Sequence, residues 1–428
     1  MEAIAPGRVN WRLRARPAAR RLLLAILAGA LLLRAAAVVL LPPEEGILQN
    51  PLADSADFHH LAVSLLAGEG FASPTGQPTA FRPPAYPVFL ATVYTAAGHG
   101  NILATGLAQA LLGTLNCWLA YLLARRTGLA RPAALLPATL FALYPAFVYQ
   151  TPQILGEVTG RTHLLAAAIL FLRAAKRHTP TATITAGALF ALAVLNKPPL
   201  AASLPFLVIL LAWCRGHWRA PLLFALAAGL LLGAWTARNA AVSGRFIPVS
   251  TNFPITFAQG VTQWSYYTQQ WYGEQRALLD APDDFLRLTQ LRAYDSIGEE
   301  IATGEEWQSR AIEFIRENPG FYLTLTARKT LHYWGPFISN RPLERAAALA
   351  TMLPVLVLGW IGLIRCLAAG PPAARRFALL ALCIAIPTCL PHVLSQPDVR
   401  YRLAFADPLW IVLLPWALLL LRYLWRNG

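Results

Sequence analysis

Long apolar runs separated by short basic connections make up most of the chain. They lie at 22–41, 102–124, 132–150, 158–173, 181–195, 199–213, 220–237, 346–365, 376–391 and 408–424. A membrane-crossing helix needs about 20 mainly apolar residues. The pattern therefore predicts an all-α polytopic membrane protein with about ten transmembrane helices. Several runs are short, which predicts tilted, broken or half-embedded helices. The first run, Leu22 to Leu41, follows Arg8, Arg12, Arg14, Arg16, Arg20 and Arg21. It is too long for a signal-peptide core of about 7–15 residues, and no small-residue cleavage pattern follows. It reads as a first span with a cytoplasmic N-terminus. Tyr86 to Ala97, directly behind Pro83-Pro84, reads as an interfacial helix instead.

The basic residues alternate along these runs. Arg125, Arg126 and Arg131, then Arg173, Lys176 and Arg177, then Arg215 and Arg219, then Arg365, Arg375 and Arg376 fall on connections of one side, as do Arg422 and Arg426. Basic loops stay in the cytoplasm. Residues 42–84 and 238–345 are thereby placed outside, and the second segment holds 12 of the 21 acidic residues. Its stretch from Asp283 to Phe314 has helical apolar spacing with solvated charges, which predicts a small, mostly helical extracytoplasmic unit. The expected organisation is an N-terminal transmembrane catalytic module over 1–237, the extracytoplasmic unit over 238–345 and C-terminal helices over 346–428.

Composition sharpens this picture. Only 13% of residues are charged and 56% are hydrophobic, against about 25% charged in soluble chains. A soluble or disordered protein is excluded. The formal net charge of +15 would suggest nucleic acid in a soluble protein. Here it reports cytoplasmic loops and affinity for anionic lipids or phosphates, and no nucleic-acid partner is expected. Cys117, Cys214, Cys366, Cys383 and Cys389 sit in or beside apolar runs without metal-ligand spacing and read as small buried residues.

Polar groups held against a membrane are costly and so informative. The first loop opens with Asp54-Ser55-Ala56-Asp57-Phe58, and helical spacing puts Asp54 and Asp57 on one face. Either could serve only as a helix cap. Two prolines after Arg82 fix where its guanidinium points, and that group suits phosphate or carboxylate. Its plainer role would be a lipid-headgroup anchor. Glu157 could pair with Arg161 one turn on. Lys197 precedes Pro198-Pro199, Arg238-Asn239 closes the seventh run, and Arg400-Tyr401-Arg402 precedes the tenth. Arg82, Lys197, Arg238, Arg400 and Arg402 break the positive-inside pattern at one membrane face, and a lipid-linked phosphate is a common target for them.

These residues also carry a family pattern. Asp54 and Asp57-Phe58, Gly68-Glu69-Gly70-Phe71, and Pro78-Thr79-Ala80-Phe81-Arg82-Pro83-Pro84-Ala85-Tyr86-Pro87 follow in order. Glu157, Leu195-Asn196-Lys197-Pro198, Arg238-Asn239 through Gly244-Arg245-Phe246-Ile247-Pro248-Val249-Ser250-Thr251-Asn252, Glu317-Asn318-Pro319 and Arg400-Tyr401-Arg402-Leu403 complete it. The chain resembles the bacterial GT-C glycosyltransferases, related to protein O-mannosyltransferases and to the lipid A aminoarabinose transferase. Each motif is weak alone; their order over almost the whole chain is specific. Phe58 stands where tyrosine is usual, Ala85 where glycine is usual, and Lys197 where arginine is commoner. Phe81 replaces a glutamate of the aminoarabinose transferases, so no metal site of that kind is expected.

The resemblance implies transfer of a sugar from a polyprenyl-phosphate donor to a glycan, lipid or protein acceptor. The reaction would take place, with inversion, on the outer face of a bacterial inner membrane. It implies Asp54 as general base with Asp57 beside it, and donor phosphate held by Arg82, Lys197, Arg238, Arg400 and Arg402. Glu157, Arg161, Tyr86, Asn239 and Tyr401 would bind or position substrate. No cofactor or metal is demanded, because cationic side chains can stabilise the leaving phosphate. A transporter or flippase of a lipid-linked anion would use the same basic cluster, and an envelope scaffold would need none of it. The transporter would show pseudo-symmetric halves, and the long loops fall asymmetrically.

Overall fold

A computed structural model describes residues 11–49, 53–177, 179–261, 291, 294–336, 342–396 and 399–427. The described residues are helical with short connections. The helices are α1 (Trp11–Leu40), α2 (Asp54–Leu66), α3 (Ala85–Ala97), α4 (Ile102–Arg126), α5 (Arg131–Leu143), α6 (Pro145–Tyr149), α7 (Glu157–Lys176) and α8 (Pro180–Val194). A 3-10 helix (Pro198–Ser203) then leads into α9 (Leu204–Arg215), α10 (Arg219–Ser243), α11 (Ile297–Glu317) and α12 (Pro319–Trp334). The chain ends in α13 (Pro342–Ala369), α14 (Pro372–Leu394), α15 (Val399–Phe405) and α16 (Asp407–Asn427).

Among the described residues, eight helical segments are long and apolar enough to cross a membrane: Pro17–Leu40, Ile102–Arg126, Glu157–Lys176, Pro198–Arg215, Arg219–Ser243, Ala346–Ala369, Pro372–Leu394 and Asp407–Arg426. The other two expected spans are the shorter apolar helices Arg131–Leu143 and Pro180–Val194. The run expected over 132–150 is broken at Tyr144-Pro145, because proline cannot continue the hydrogen-bond ladder. The carbonyls this exposes find an unusual partner. Arg34, buried in α1, donates from Nη2 to Phe141 O at 2.6 Å and from Nη1 to Ala142 O at 3.3 Å. A backbone group inside the bilayer must be satisfied internally, and so must a charge; here each satisfies the other.

One large apolar core joins α4, α5, α7, α8, α13, α14 and α16. Small residues let the helices touch. A Cβ on Gly187 of α8 would lie 2.4 Å from Phe224 O of α10, and one on Gly362 of α13 would lie 2.2 Å from Leu413 O of α16. Close backbone approach of this kind is how helices associate in lipid. The outward faces remain apolar: Leu222, Leu226 and Leu230 make an exposed row on α10, and Phe206, Ile209 and Trp213 one on α9. Such rows suit contact with lipid tails, not water.

A second core is separate from the large one, with Trp235 of α10 packed against both. Leu61 of α2, Phe71 and Phe81 pack with Ile255, Ala258, Leu291, Tyr294, Trp307 and Leu325. The two long loops expected from sequence thus share one hydrophobic cluster. The interfacial helix expected at 86–97 is α3. Of the helix expected over 283–314, α11 supplies the part from Ile297; residues 283–290 lie outside the described residues, as do 292–293. The seventh span runs past its expected end at 237 to Ser243, so Arg238 and Asn239 are helical residues of α10.

Candidate active site

The chemistry-bearing residues sit at element ends that meet. Asp54 and Asp57 are in the first turn of α2, Glu157 opens α7, Lys197 separates α8 from the 3-10 helix, and Arg400 and Tyr401 lie in α15. Polar side chains at helix ends leave the apolar middles free to pack, and short connections bring the ends together.

An alternating chain of charge joins six of them. Arg82 donates from Nε to Asp57 Oδ2 at 2.9 Å and from Nη2 to Asp54 Oδ1 at 2.8 Å. Arg400 Nη2 reaches Asp54 Oδ2 at 3.3 Å, and its Nε lies 3.4 Å from Glu157 Oε1. Lys197 Nζ lies 2.9 Å from the same Glu157 oxygen. The Glu157 contacts are close ion pairs, not aligned hydrogen bonds. The guanidinium of Arg82 also stands 5.0 Å from the Phe81 ring centroid and 5.7 Å from that of Phe58. Lys197 and Arg400 lie over the Tyr401 ring at 5.2 and 5.3 Å.

The two aspartates differ. Neither caps α2, whose N-cap is Ala53 with no side-chain cap bond; both carboxylates serve Arg82 instead. Asp57 is buried, at 1% exposure, and its oxygens accept the Leu291 amide at 3.1 Å as well as Arg82. Asp54 is 26% exposed. It lines a cavity together with Phe58, Arg82, Asn196, Lys197, His392 and Tyr401, while Ser250, Asn252, Thr256 and Gln396 add neutral hydrogen-bonding groups. Burial alone would raise the Asp54 pKa, but Arg82, Arg400 and Lys197 outweigh it and hold the carboxyl well below the usual range. Burial pushes the Asp57 carboxyl up, against the opposing pull of Arg82 and the Leu291 amide.

The loop that carries Arg82 is tied down from below. Glu300 of α11 is buried and accepts the hydroxyls of Thr79 and of Thr251, the latter at 2.8 Å, and the amide of Ala80 at 3.4 Å. Thr251 N donates to Ala80 O at 3.0 Å.

Five expected site residues neither join the charged chain nor line the cavity. Arg402 is fully buried; it donates to Asp407 Oδ1 at 2.8 Å, to Tyr333 O at 2.6 Å and to Gly335 O. These contacts join the end of α12 to α16, and Arg402 does not line the cavity. Arg238 donates to Phe71 O at 2.8 Å and to Thr79 O, so it secures the Arg82 loop. Asn239 holds Ile247 O at 3.1 Å and Val249 O at 3.3 Å. Arg161 does not pair with Glu157: it donates to Gln150 Oε1 and Leu403 O and lies 3.8 Å from the Phe147 centroid. Tyr86 is buried, with its hydroxyl on Gln109 Oε1 at 3.2 Å. Sequence reading gave no role to Asn196, Ser250 or Asn252, though all stand in quoted motifs, and it passed over His392, Glu300 and Asp407. A histidine at the end of an apolar run was the available signal for His392.

Among the described residues no group of three or more His, Cys, Asp or Glu side chains is placed to hold a metal ion.

Comparison with known proteins bears on this arrangement. The family model of the dolichyl-phosphate-mannose-protein mannosyltransferases matches residues 81–236. That stretch contains Arg82, Glu157 and Lys197. The archaeal oligosaccharyltransferase AglB from Archaeoglobus fulgidus, solved with an inhibitory peptide and a dolichol-phosphate, shares the fold. The TM-score is 0.52 at 14% identity, over 95% of this chain and 51% of that one. The chain thus spans about half the length of that enzyme. ArnT from Cupriavidus metallidurans, solved with undecaprenyl phosphate, aligns more loosely, with a TM-score of 0.40 at 14% identity over 89% of this chain and 77% of that one. No protein of curated function matches the sequence. The family match and the shared fold together support a glycosyltransferase of the GT-C superfamily.

Proposed function

We propose that the protein transfers a sugar from a polyprenyl-phosphate donor to an acceptor hydroxyl at the outer face of the membrane, with inversion, and that Asp54 is the base. The observation that carries this is the placing of Asp54. It is the aspartate that lines the cavity, and Arg82, Arg400 and Lys197 stand around it. In a single displacement the acceptor oxygen forms a bond to the anomeric carbon as the bond from that carbon to the phosphate oxygen breaks. The acceptor proton passes to Asp54, and the electron pair leaves with the lipid phosphate.

An aspartate held by two arginines is a weak base. It takes the proton late, when the bond to the anomeric carbon has drained charge from the acceptor oxygen and made it acidic. Arg82, Arg400 and Lys197 stabilise the charge that grows on the leaving phosphate. The matched family, the dolichyl-phosphate-mannose-protein mannosyltransferases, gives the precedent for the donor class.

Purified protein with a polyprenyl-phosphate sugar tests the reading. Release of polyprenyl phosphate, with the anomeric configuration of the product inverted by NMR, supports it. Movement of intact donor across a vesicle membrane without turnover would establish a transporter instead.

A further inference from the structure

Two buried side chains in the cavity wall carry a nitrogen that no protein group engages. Asn196 is 2% exposed, and its Nδ2 is without a hydrogen-bond partner. Thr159 holds the other end of the amide, Oγ1 to Oδ1, at 3.3 Å. The amide lies against bare helix backbone: a Cβ on Gly156 would fall 2.4 Å from Oδ1. His392 is 4% exposed, and its Nε2 likewise has no partner. Its ring is held flat, stacked on Tyr401 at 4.2 Å and 11° and on Tyr333 at 5.8 Å and 18°. Both residues line the cavity.

Native structures rarely leave a buried polar nitrogen unpaired, because the desolvation is not recovered. Here two such atoms belong to residues that line one cavity with Lys197. Asn196 precedes Lys197 in the chain, and Tyr401 carries His392 on its ring with Lys197 Nζ 5.2 Å from the same centroid. The cations themselves are committed: Arg82 to Asp54 and Asp57, Lys197 to Glu157, and Arg400 to Asp54 and Glu157. An incoming anion must share or displace those carboxylates. An uncommitted N–H donor binds an anionic oxygen with no such exchange, and hydrogen bonds to charged acceptors are the stronger kind.

We propose that the Asn196 amide and His392, in the tautomer protonated at Nε2, donate to the non-bridging oxygens of the donor's lipid phosphate in the cavity that Lys197 also lines. The inference rests on the donor class argued above and goes beyond it in naming the atoms that receive the phosphate. It also explains why the amide and the ring are locked in place by Thr159, Gly156 and the tyrosine pair while their nitrogens are left open.

The test uses the purified full chain and three probes: a short-chain polyprenyl phosphate, the matching polyprenol and inorganic phosphate. The variants are Asn196→Leu and His392→Phe, the second keeping the aromatic stack. Each should bind polyprenyl phosphate about tenfold more weakly than wild type, bind polyprenol equally well, and melt at the same or a higher temperature, since an unpaired buried nitrogen has gone. Inorganic phosphate should compete for wild type and compete less for the variants. Should Asn196→Leu not fold, Asn196→Asp keeps the volume, exchanges the donor for a carboxylate and should lose more affinity still. A variant with native affinity for polyprenyl phosphate and a lowered melting temperature would show a structural role and overturn the inference. Equal losses for the phosphate and the polyprenol would place the residues against the isoprenoid chain and overturn it too. If wild type itself prefers polyprenol or does not discriminate, the donor class fails first and this inference with it.

Discussion

Asp54→Asn separates the two things the carboxylate does in this structure. It neutralises Arg82 and Arg400, and it faces the cavity. Asparagine is nearly isosteric and keeps one acceptor oxygen. Arg82 retains Asp57 and Arg400 retains Glu157. Two charge-assisted hydrogen bonds are therefore weakened, and their full worth of about 1.5–3 kcal/mol each is not lost. Because the side chain is 26% exposed, solvent screening reduces the cost further, to about 1–2 kcal/mol in all. The loss of a general base is larger, about 10²–10⁴ in rate. The assay is transfer rate beside thermal stability, at matched expression and over a range of pH. The folded pKa of Asp54 lies below its unfolded value of about 3.9, so its contribution to stability is complete above that pH and fades as pH falls through the folded value. Asparagine does not titrate, so the stability gap between the proteins should be constant above about pH 5 and narrow below about pH 4. Asp57→Asn weakens the contacts to Arg82 and the Leu291 amide at a buried site outside the cavity lining, so its rate should fall less than that of Asp54→Asn. A folded Asp54→Asn enzyme working near the native rate would refute the assignment of the base.

Arg82→Ala and Lys197→Ala should each lower turnover about 10²–10³-fold, and Arg82→Lys should recover little, because a point charge cannot span Asp54 and Asp57 as the guanidinium does; steady-state rates with a polyprenyl-phosphate sugar decide it. Arg402→Ala leaves Asp407 buried without its counter-ion, held by the Tyr144 hydroxyl alone, and should cost about 3–5 kcal/mol, seen as a fall in melting temperature with donor affinity of the folded fraction unchanged; a stable variant with weak donor binding would place Arg402 in the phosphate site. In a cysteine-free background, a cysteine at Ser309 should be labelled in intact cells and one at Thr179 should not; the opposite pattern would overturn the orientation of the whole site.

What the sequence made legible follows from the kind of signal each feature carries. Spans announce themselves by length and apolarity, and the runs from 102 to 124 and from 376 to 391 appear as α4 and α14 with little change. The break at Tyr144-Pro145 was visible as a proline, yet the run could be read through because the partner that makes the break tolerable, Arg34, lies more than a hundred residues away. The site shows the same division. Residue type and spacing marked Asp54, Asp57, Arg82, Glu157, Lys197, Arg400 and Tyr401, and these are the residues the fold assembles. Pairing was not marked. Glu157 and Arg161 are one helical turn apart, which makes a surface pair the natural expectation. In the structure Glu157 turns to Lys197 and Arg161 turns to Gln150 and Leu403, because α7 is buried on both flanks and each charge meets the neighbour its own face presents. Arg400 and Arg402 are separated by one residue, and on a helix that places them on different faces: one reaches Asp54 and Glu157, the other is sealed against Asp407. A local pattern can say that a charge in such a chain has a reason to be there; whether the reason is a substrate or a brace is decided by the direction of the side chain. That direction depends on helices far apart in sequence, as it does for Glu300, whose acidity marks α11 as solvated but whose carboxylate instead fastens the loop bearing Arg82.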